Sequence, residues 1–246
     1  MAIHDFTSER LFFDAPMQAG AFLEPSPEQV HYLINVLRLP EGAELLVFNG
    51  RDGEWRARLR DVRKKSARLE LLDRTRPQTE GPDLHYLFAP LKHARLDYMV
   101  QKAVELGASR LVPVLTRRTV PDRVNLERMR ANVIEAAEQC GVLRVPGIDP
   151  PVALAKALDG WNPERRLIFC DEDAAAKNPV AALSGLARGP VAVLIGPEGG
   201  FDSQEREMLL HKTFVVALSL GPRIMRADTA AVAALTLVNA TLGDWS

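Results

Sequence analysis

Two glycine-containing segments near the C-terminal end hold residue types suited to gripping and acting on a small molecule. The first is Gly196-Pro197-Glu198-Gly199-Gly200, which follows the apolar residues 191–195. Its glycines let the backbone turn sharply and approach a ligand closely. Pro197 stiffens it, and Glu198 sets one carboxylate among unhindered amides. The second segment is residues 220–230, after the apolar residues 214–218, and it carries Arg223, Arg226, Asp228 and Thr229. Ile224 and Met225 interrupt it with apolar bulk, as a purine-binding wall would. Each segment sits where a buried strand should end and a helix begin, the place at which α/β sheets bind ligands. A plain strand-to-helix turn is the competing account of the first, with Glu198 in solvent. The whole pentapeptide at a strand end favours a ligand. In the second, Asp228 also suits the N-cap of an alanine-rich helix, with Arg226 paired to it.

Other familiar chemistries lack their residues. No two glycines stand in a Gly-x-Gly pair, which removes the dinucleotide fingerprint and the usual methyl-donor loop of open-sheet methyltransferases. There is no phosphate loop and no Gly-x-Ser-x-Gly nucleophile elbow. No cluster has zinc-ligand spacing, so no metal is expected. The five histidines are scattered, and Cys140 has no paired histidine to make it a nucleophile. Two cysteines fit a reduced cytoplasmic protein. No apolar stretch has the length of a membrane span, and residues 1–5 do not resemble a signal peptide.

The elements that must position the two segments follow from periodicity. A chain of 246 residues, 47% hydrophobic and 26% charged, suits two soluble domains. Residues 1–73 read as short strands: 10–13, 44–48, 55–60 and 67–71, with one helix over 27–37 capped by Ser26. This predicts a small β-rich barrel. A polar stretch with two prolines, 74–82, reads as the linker. From residue 83 to 246 strands alternate with helices, which predicts a parallel sheet covered by helices. Strands are expected over 84–89, 110–115, 167–170, 191–195 and 214–218. Helices are expected over 94–106, 125–140, 152–158, 179–186, 203–211 and 229–242. Asp202 and Glu205 read as a capping box. The net charge is -1, but residues 51–76 hold a local excess of arginine and lysine that suits a phosphate backbone. For any single one of these cations a solvated strand face is the simpler account.

Four stretches then make the chain recognisable: Gln101-Lys102-Ala103-Val104-Glu105-Leu106-Gly107, Glu138-Gln139-Cys140-Gly141, residues 195–200 and residues 220–230. In this order they resemble the bacterial 16S rRNA uridine N3-methyltransferases of the knotted SPOUT superfamily, through nearly the whole chain. The resemblance implies an α/β fold in which 83–246 form a SPOUT domain with a deep trefoil knot. Residues 1–73 would be a PUA-like β-barrel that helps hold RNA. It implies S-adenosyl-L-methionine as cofactor, held by Leu194, Ile195, Gly196, Pro197, Glu198, Gly199, Gly200, Leu218, Leu220, Gly221, Ile224, Met225, Arg226, Thr229 and Ala230. It also implies a homodimer and, as partner, 16S rRNA or the small ribosomal subunit. RNA contacts are expected from Arg10, Arg38, Arg56, Arg58, Lys64, Lys65, Lys102, Arg144 and Arg223.

The reaction needs a cofactor pocket, in-line placement of uracil N3, and removal or stabilisation of charge, because N3 is a poor nucleophile until it loses its proton. Arg226 is assigned to stabilising the uracil anion or binding its phosphate. Glu198 and Asp228 are candidates for proton handling, and the uridine must be unpaired or flipped out. The chain departs from the family at two points. Asp228 stands where Glu is usual, and Val142 where Arg is usual, with Arg144 two positions on. These departures support a second reading, a non-catalytic RNA-binding or assembly factor. A knotted enzyme acting on tRNA is a third.

Overall fold

The computed structural model describes residues 8–120, 123–175 and 178–245; the N-terminal residues 1–5 considered above lie outside them. The chain divides into two compact units. One runs to Glu80 and takes in Ala137–Val145; the other comprises Gly81–Ala136 and the chain from Pro146 onward.

The first unit is built from β1 (Arg10–Phe12), β2 (Phe22–Leu23), α1 (Pro27–Val30), β3 (Glu44–Phe48), β4 (Glu54–Arg63) and β5 (Ser66–Arg76). α1 continues as a π-helical turn over His31–Val36. Ser26 caps α1, accepting from the Gln29 amide, and Pro27 occupies the first turn, where its missing N–H costs nothing. The five strands form one sheet in the order β1-β3-β4-β5-β2. Among the described residues the hydrogen-bonded order of the expected barrel is open, with β1 and β2 at its ends. Period-two alternation puts Ala57, Leu59, Leu69 and Leu71 into a core with Leu33, Leu45 and Val47.

The expected linker begins too early. Arg74 and Arg76 pair with Trp55 and Glu54 as part of β5. The cause is long-range and invisible to local composition. Glu54 is buried and receives Arg76 at 2.7 Å, Arg10 at 2.8 Å and the Thr75 hydroxyl at 2.8 Å. Burial alone would raise the Glu54 carboxyl, but these hydrogen bonds outweigh it and hold the group below its ordinary value. The same arginines cap the end of the helix that carries the Glu-Gln-Cys-Gly motif. Arg10 donates to the Glu138 carbonyl at 3.2 Å and Arg76 to the Gly141 carbonyl at 3.0 Å. Helix C-termini, with their unpaired carbonyls, favour such cations.

The second unit holds β6 (Leu84–Phe88), α2 (His93–Glu105), β7 (Arg110–Leu115), α3 (Leu126–Cys140), β8 (Gly147–Ile148), β9 (Val152–Ala153) and α4 (Leu154–Ala157). It continues with β10 (Arg166–Cys170), α5 (Pro179–Ser184), β11 (Val191–Ile195), α6 (Ser203–Leu210), β12 (Val215–Leu218) and α7 (Ala227–Thr241). The last turn of α3 is counted with the first unit. The sheet order is β12-β10-β11-β6-β7-β8, and every pairing is parallel. Every residue of β11 is buried, as expected of a strand covered on both faces. Leu87, Phe169, Ala192 and Leu194 share one core cluster. Tyr86 and Phe88 stack at 5.0 Å, and the Tyr86 hydroxyl donates to Met99 Sδ of α2 at 2.9 Å. Small residues Ala227, Ala231 and Ala234 of α7 are buried, and α7 packs on α2, α5 and β11.

The helix expected from 152 starts later. Val152 and Ala153 pair with Val114 and Leu115 of β7, and only Leu154–Ala157 are helical. α7 also starts earlier than expected, with Arg226 rather than Asp228 at its N-cap. No helix of the described residues is long and apolar enough to cross a membrane.

His85 lies in β6, and burial, with the nearby Arg165 guanidinium, pushes its imidazole down to about 4. The unfolded chain therefore binds more protons than the folded one between pH about 4 and 6.5, so stability falls as pH drops through that window. Urea titrations across this range should show a steeper pH dependence for the wild type than for His85→Gln; equal slopes would remove His85 as the cause.

Candidate active site

Strand register fixes where the two glycine-containing turns emerge. Phe169 of β10 pairs with Leu194 of β11 on one side and Ala217 of β12 on the other. β11 and β12 therefore end level, one on each side of β10. At about 4.8 Å per strand spacing, their ends lie about 10 Å apart. The turn after β11 and the turn after β12 thus flank the C-terminal end of β10, at the sheet edge where α/β folds bind ligands.

The first turn is held by its own residues and by its neighbours. Ile195 accepts from the Ala89 amide at 3.0 Å, and Gly200 donates to the Pro197 carbonyl at 2.9 Å. Gly196 has a steric reason to be glycine, since a Cβ there would lie 2.4 Å from the Phe201 ring. That ring packs edge-on against Phe169 at 5.0 Å. Gly196 thus makes room for an aromatic of its own loop. Glu198 is 58% exposed and pairs with Arg95. Arg118 donates to the Gly199 carbonyl at 2.8 Å.

The second turn is more open. Ser219 is buried, and its hydroxyl meets the Gly221 carbonyl at 3.3 Å and amide at 3.4 Å. Gly221 has φ 119°, and a Cβ there would meet nothing within 4 Å. Ile224 is 91% exposed. Arg226 is exposed and caps α7 with extended backbone but no side-chain bond. It forms no ion pair with Asp228 or any other described residue. Asp228 sits in the first helical turn, accepting from the Thr229 amide at 3.0 Å, where the helix dipole favours a carboxylate. Leu218 is buried, Leu220, Met225 and Ala230 are partly buried, and Thr229 is exposed.

Nearby groups are not proton carriers at neutral pH. Burial, with Cys170 and Asp228 close by, pushes the Tyr86 hydroxyl well up. Cys170 keeps some exposure as a residue, but desolvation of its thiol pushes it up to about 12. Glu198, the carboxylate of the first turn, is tied to Arg95.

The basic residues expected to meet RNA fall into two groups. Arg10 is corrected outright: at 5% exposure, locked to Glu54, it serves the interior. Arg56 pairs with Asp73 at 2.6 Å and Arg58 with Glu44 at 2.7 Å across the sheet face. Lys102 pairs with Glu105 at 2.6 Å, and Arg144 donates to the Glu80 carbonyl. Lys64 and Lys65, at the β4–β5 turn, are exposed and make no ion pair with a described residue. Arg38 and Arg223 are also exposed, Arg38 with a positive φ of 56°. Sequence reasoning did not foresee that Arg95, Arg118 and Phe201 contact the first turn. No local signal marks Arg95 or Arg118, because Arg95 meets Glu198 across 103 residues and Arg118 meets Gly199 across 81.

Comparison with known proteins bears on this geometry. Residues 79–239 match the family model of an RNA methyltransferase domain, and residues 25–72 that of an RNA methyltransferase PUA domain. The fold and site thus define a methyltransferase class that joins a PUA domain to a parallel-sheet domain. A ribosomal RNA small subunit methyltransferase E of Rickettsia conorii is 30% identical over 231 residues, covering 93% of this chain and 94% of its own. Its counterpart from Synechocystis is 34% identical over 221 residues, covering 87% and 71%. The crystal structure of the Neisseria gonorrhoeae counterpart, bound to S-adenosyl methionine, superposes with a TM-score of 0.86 at 28% identity. That match covers 97% of this chain and 100% of the other. The chain belongs to the ribosomal RNA small subunit methyltransferase E family.

Gly196→Ala should force the Phe201 ring off Phe169 and cost about 1–3 kcal/mol, as overpacking does. Urea unfolding of that variant and of Gly196→Ala/Phe201→Ala checks it. The second change should add much less than Phe201→Ala costs alone; full additivity would contradict the steric account.

Proposed function

We propose that this protein methylates N3 of a uridine in 16S rRNA, near the decoding region, using S-adenosylmethionine. The observation that carries the reading is the pair of level turns on either side of β10, in a chain that aligns over 97% of its length with a structure bound to S-adenosyl methionine. The residues present fit that cofactor. The amides of Glu198, Gly199, Ile224 and Met225 have no acceptor among the described residues, Gly221 faces open space, and Ile224 offers uncovered apolar surface. When bound, the cofactor supplies a methyl group on a sulfonium, which a ring nitrogen attacks.

This chain's residues must do the rest. Backbone groups of 194–200 and 218–225, with Thr229 and Ala230, hold the donor. Arg226, exposed at the N-cap of α7 and without an ion pair to a described residue, stabilises the charge left on uracil when N3 loses its proton. Asp228 is the better placed proton acceptor, because Glu198 is committed to Arg95. Phosphate contacts come from Lys64, Lys65, Arg38 and Arg223, which make no ion pair with a described residue. Arg56, Arg58, Lys102 and Arg144 contribute only by exchanging their present partners.

The trefoil knot, the homodimer and the cytoplasmic location belong to the same proposal. A knot is supported by strand order: β12 lies beyond β10, yet α7 returns to pack on β11, α2 and α5. The exposed Ile224 supports a covering partner at the second turn.

Arg226→Ala should lower methylation about 10²–10³-fold, as loss of one charge-stabilising donor does, with unfolding unchanged. Mass spectrometry of 16S rRNA incubated with enzyme and cofactor checks it, and wild-type turnover would remove Arg226 from the mechanism. Changing Lys64 and Lys65 together to Glu should reduce the salt slope of RNA binding by about 1.5 or more, at roughly 0.7–0.9 per phosphate contact. Cofactor affinity, read by calorimetry, should not move; an equal loss in both would contradict the division of labour.

A further inference from the structure

We infer that the turn 116–119 is an anchor that positions the cofactor turn, with Arg118 as its positioning residue; the inference rests on the cofactor reading above. The segment 196–200 contains three glycines, and glycine loses more backbone freedom on ordering than any other residue. A loop of this composition does not hold one shape by its own propensity. Something outside it must fix it before a ligand arrives.

The Gly199–Gly200 peptide is fixed at both ends. Its amide, on Gly200, donates to the Pro197 carbonyl at 2.9 Å. Its carbonyl, on Gly199, receives Arg118 Nη1 at 2.8 Å. The Arg118 stem also runs along Gly199, where a Cβ would lie 3.7 Å from its Cδ and 3.8 Å from its Cβ. One side chain therefore sets the plane of the peptide from which the turn's outward amides take their direction.

The anchor is itself rigid. Thr116 is buried, and its amide and hydroxyl each meet the Thr119 hydroxyl at 2.9 Å, while the Thr119 amide donates to the Thr116 carbonyl at 3.1 Å. Arg117 extends the hold downstream. Its amide donates to Glu205 at 2.9 Å and its guanidinium reaches Asp202 at 3.1 Å, the two acidic members of the α6 capping box. The capping amides and Arg117 keep the Asp202 carboxyl below its ordinary value, so it is charged at neutral pH and these contacts persist. Residues 196–205 are thereby tied at Gly199, Asp202 and Glu205 to a turn that follows β7.

Arg118 is exposed, so Arg118→Ala should fold normally. Two readouts test the anchor. In the ligand-free protein, the Gly200 amide should exchange its hydrogen about tenfold faster in Arg118→Ala than in wild type, because its turn is no longer fixed. In titration with S-adenosylmethionine, the variant should bind about tenfold more weakly, the cost of ordering the turn on binding. KM for the cofactor should rise with it while kcat changes far less, and Arg118→Lys, which keeps a donor, should recover part of the loss. Unchanged Gly200 exchange, or wild-type cofactor affinity in Arg118→Ala, would overturn the inference. A wild-type protein that binds no S-adenosylmethionine but shows the exchange difference would contradict the cofactor reading while upholding the anchor.

Discussion

The parallel pairing of β10 with both β11 and β12 is the constraint on which the rest of the site depends. It is a backbone interaction, set by hydrogen-bond register and not by any one side chain. Because all three strands run the same way, their ends reach one edge together. Phe169, fully buried in β10, ties that register to the core and gives Phe201 a surface to pack on. A slip of one residue in either pairing would exchange the side chains of the two buried faces, break their packing and misalign the turns. The relative placement of the two turns is therefore set by core packing within the sheet.

Flexibility and order are divided between the two turns. The first is rich in glycine, yet it is held by Phe201, Pro197, Arg95 and Arg118. The second is held mainly at its base by Ser219 and at its end by α7, with Ile224 uncovered between them. Charge is divided in the same way. Several arginines of this sheet neutralise neighbouring carboxylates, which limits like-charge repulsion, whereas Lys64 and Lys65, which make no ion pair with a described residue, lie at the β4–β5 turn.

Much of this was legible in the sequence where local signals are strong. β3, β7 and β11 have the expected ends because apolar runs stop at polar or turn residues. The α6 capping box and the Ser26 cap of α1 form as their spacing indicates. The two glycine-containing turns follow β11 and β12, where the apolar runs end. Long-range pairing was not legible. β2, β8 and β9 are two residues each and exist only because a partner strand lies beside them. Arg10 read as a surface cation, because nothing local shows that Glu54, 44 residues on, buries it. Asp228 read as an N-cap by residue type, but the backbone enters α7 two residues earlier. The role of Arg118 was not visible, since its contact with Gly199 spans 81 residues.

The account is tested most directly by a crystal structure of this protein grown with S-adenosylmethionine. It predicts density for the donor at the C-terminal end of β10, contacted by backbone groups of Gly196–Gly200 on one side and Leu220–Met225 on the other, with its methyl group directed toward Arg226. Density at a different edge of the sheet, or a donor that touches neither turn, would contradict it.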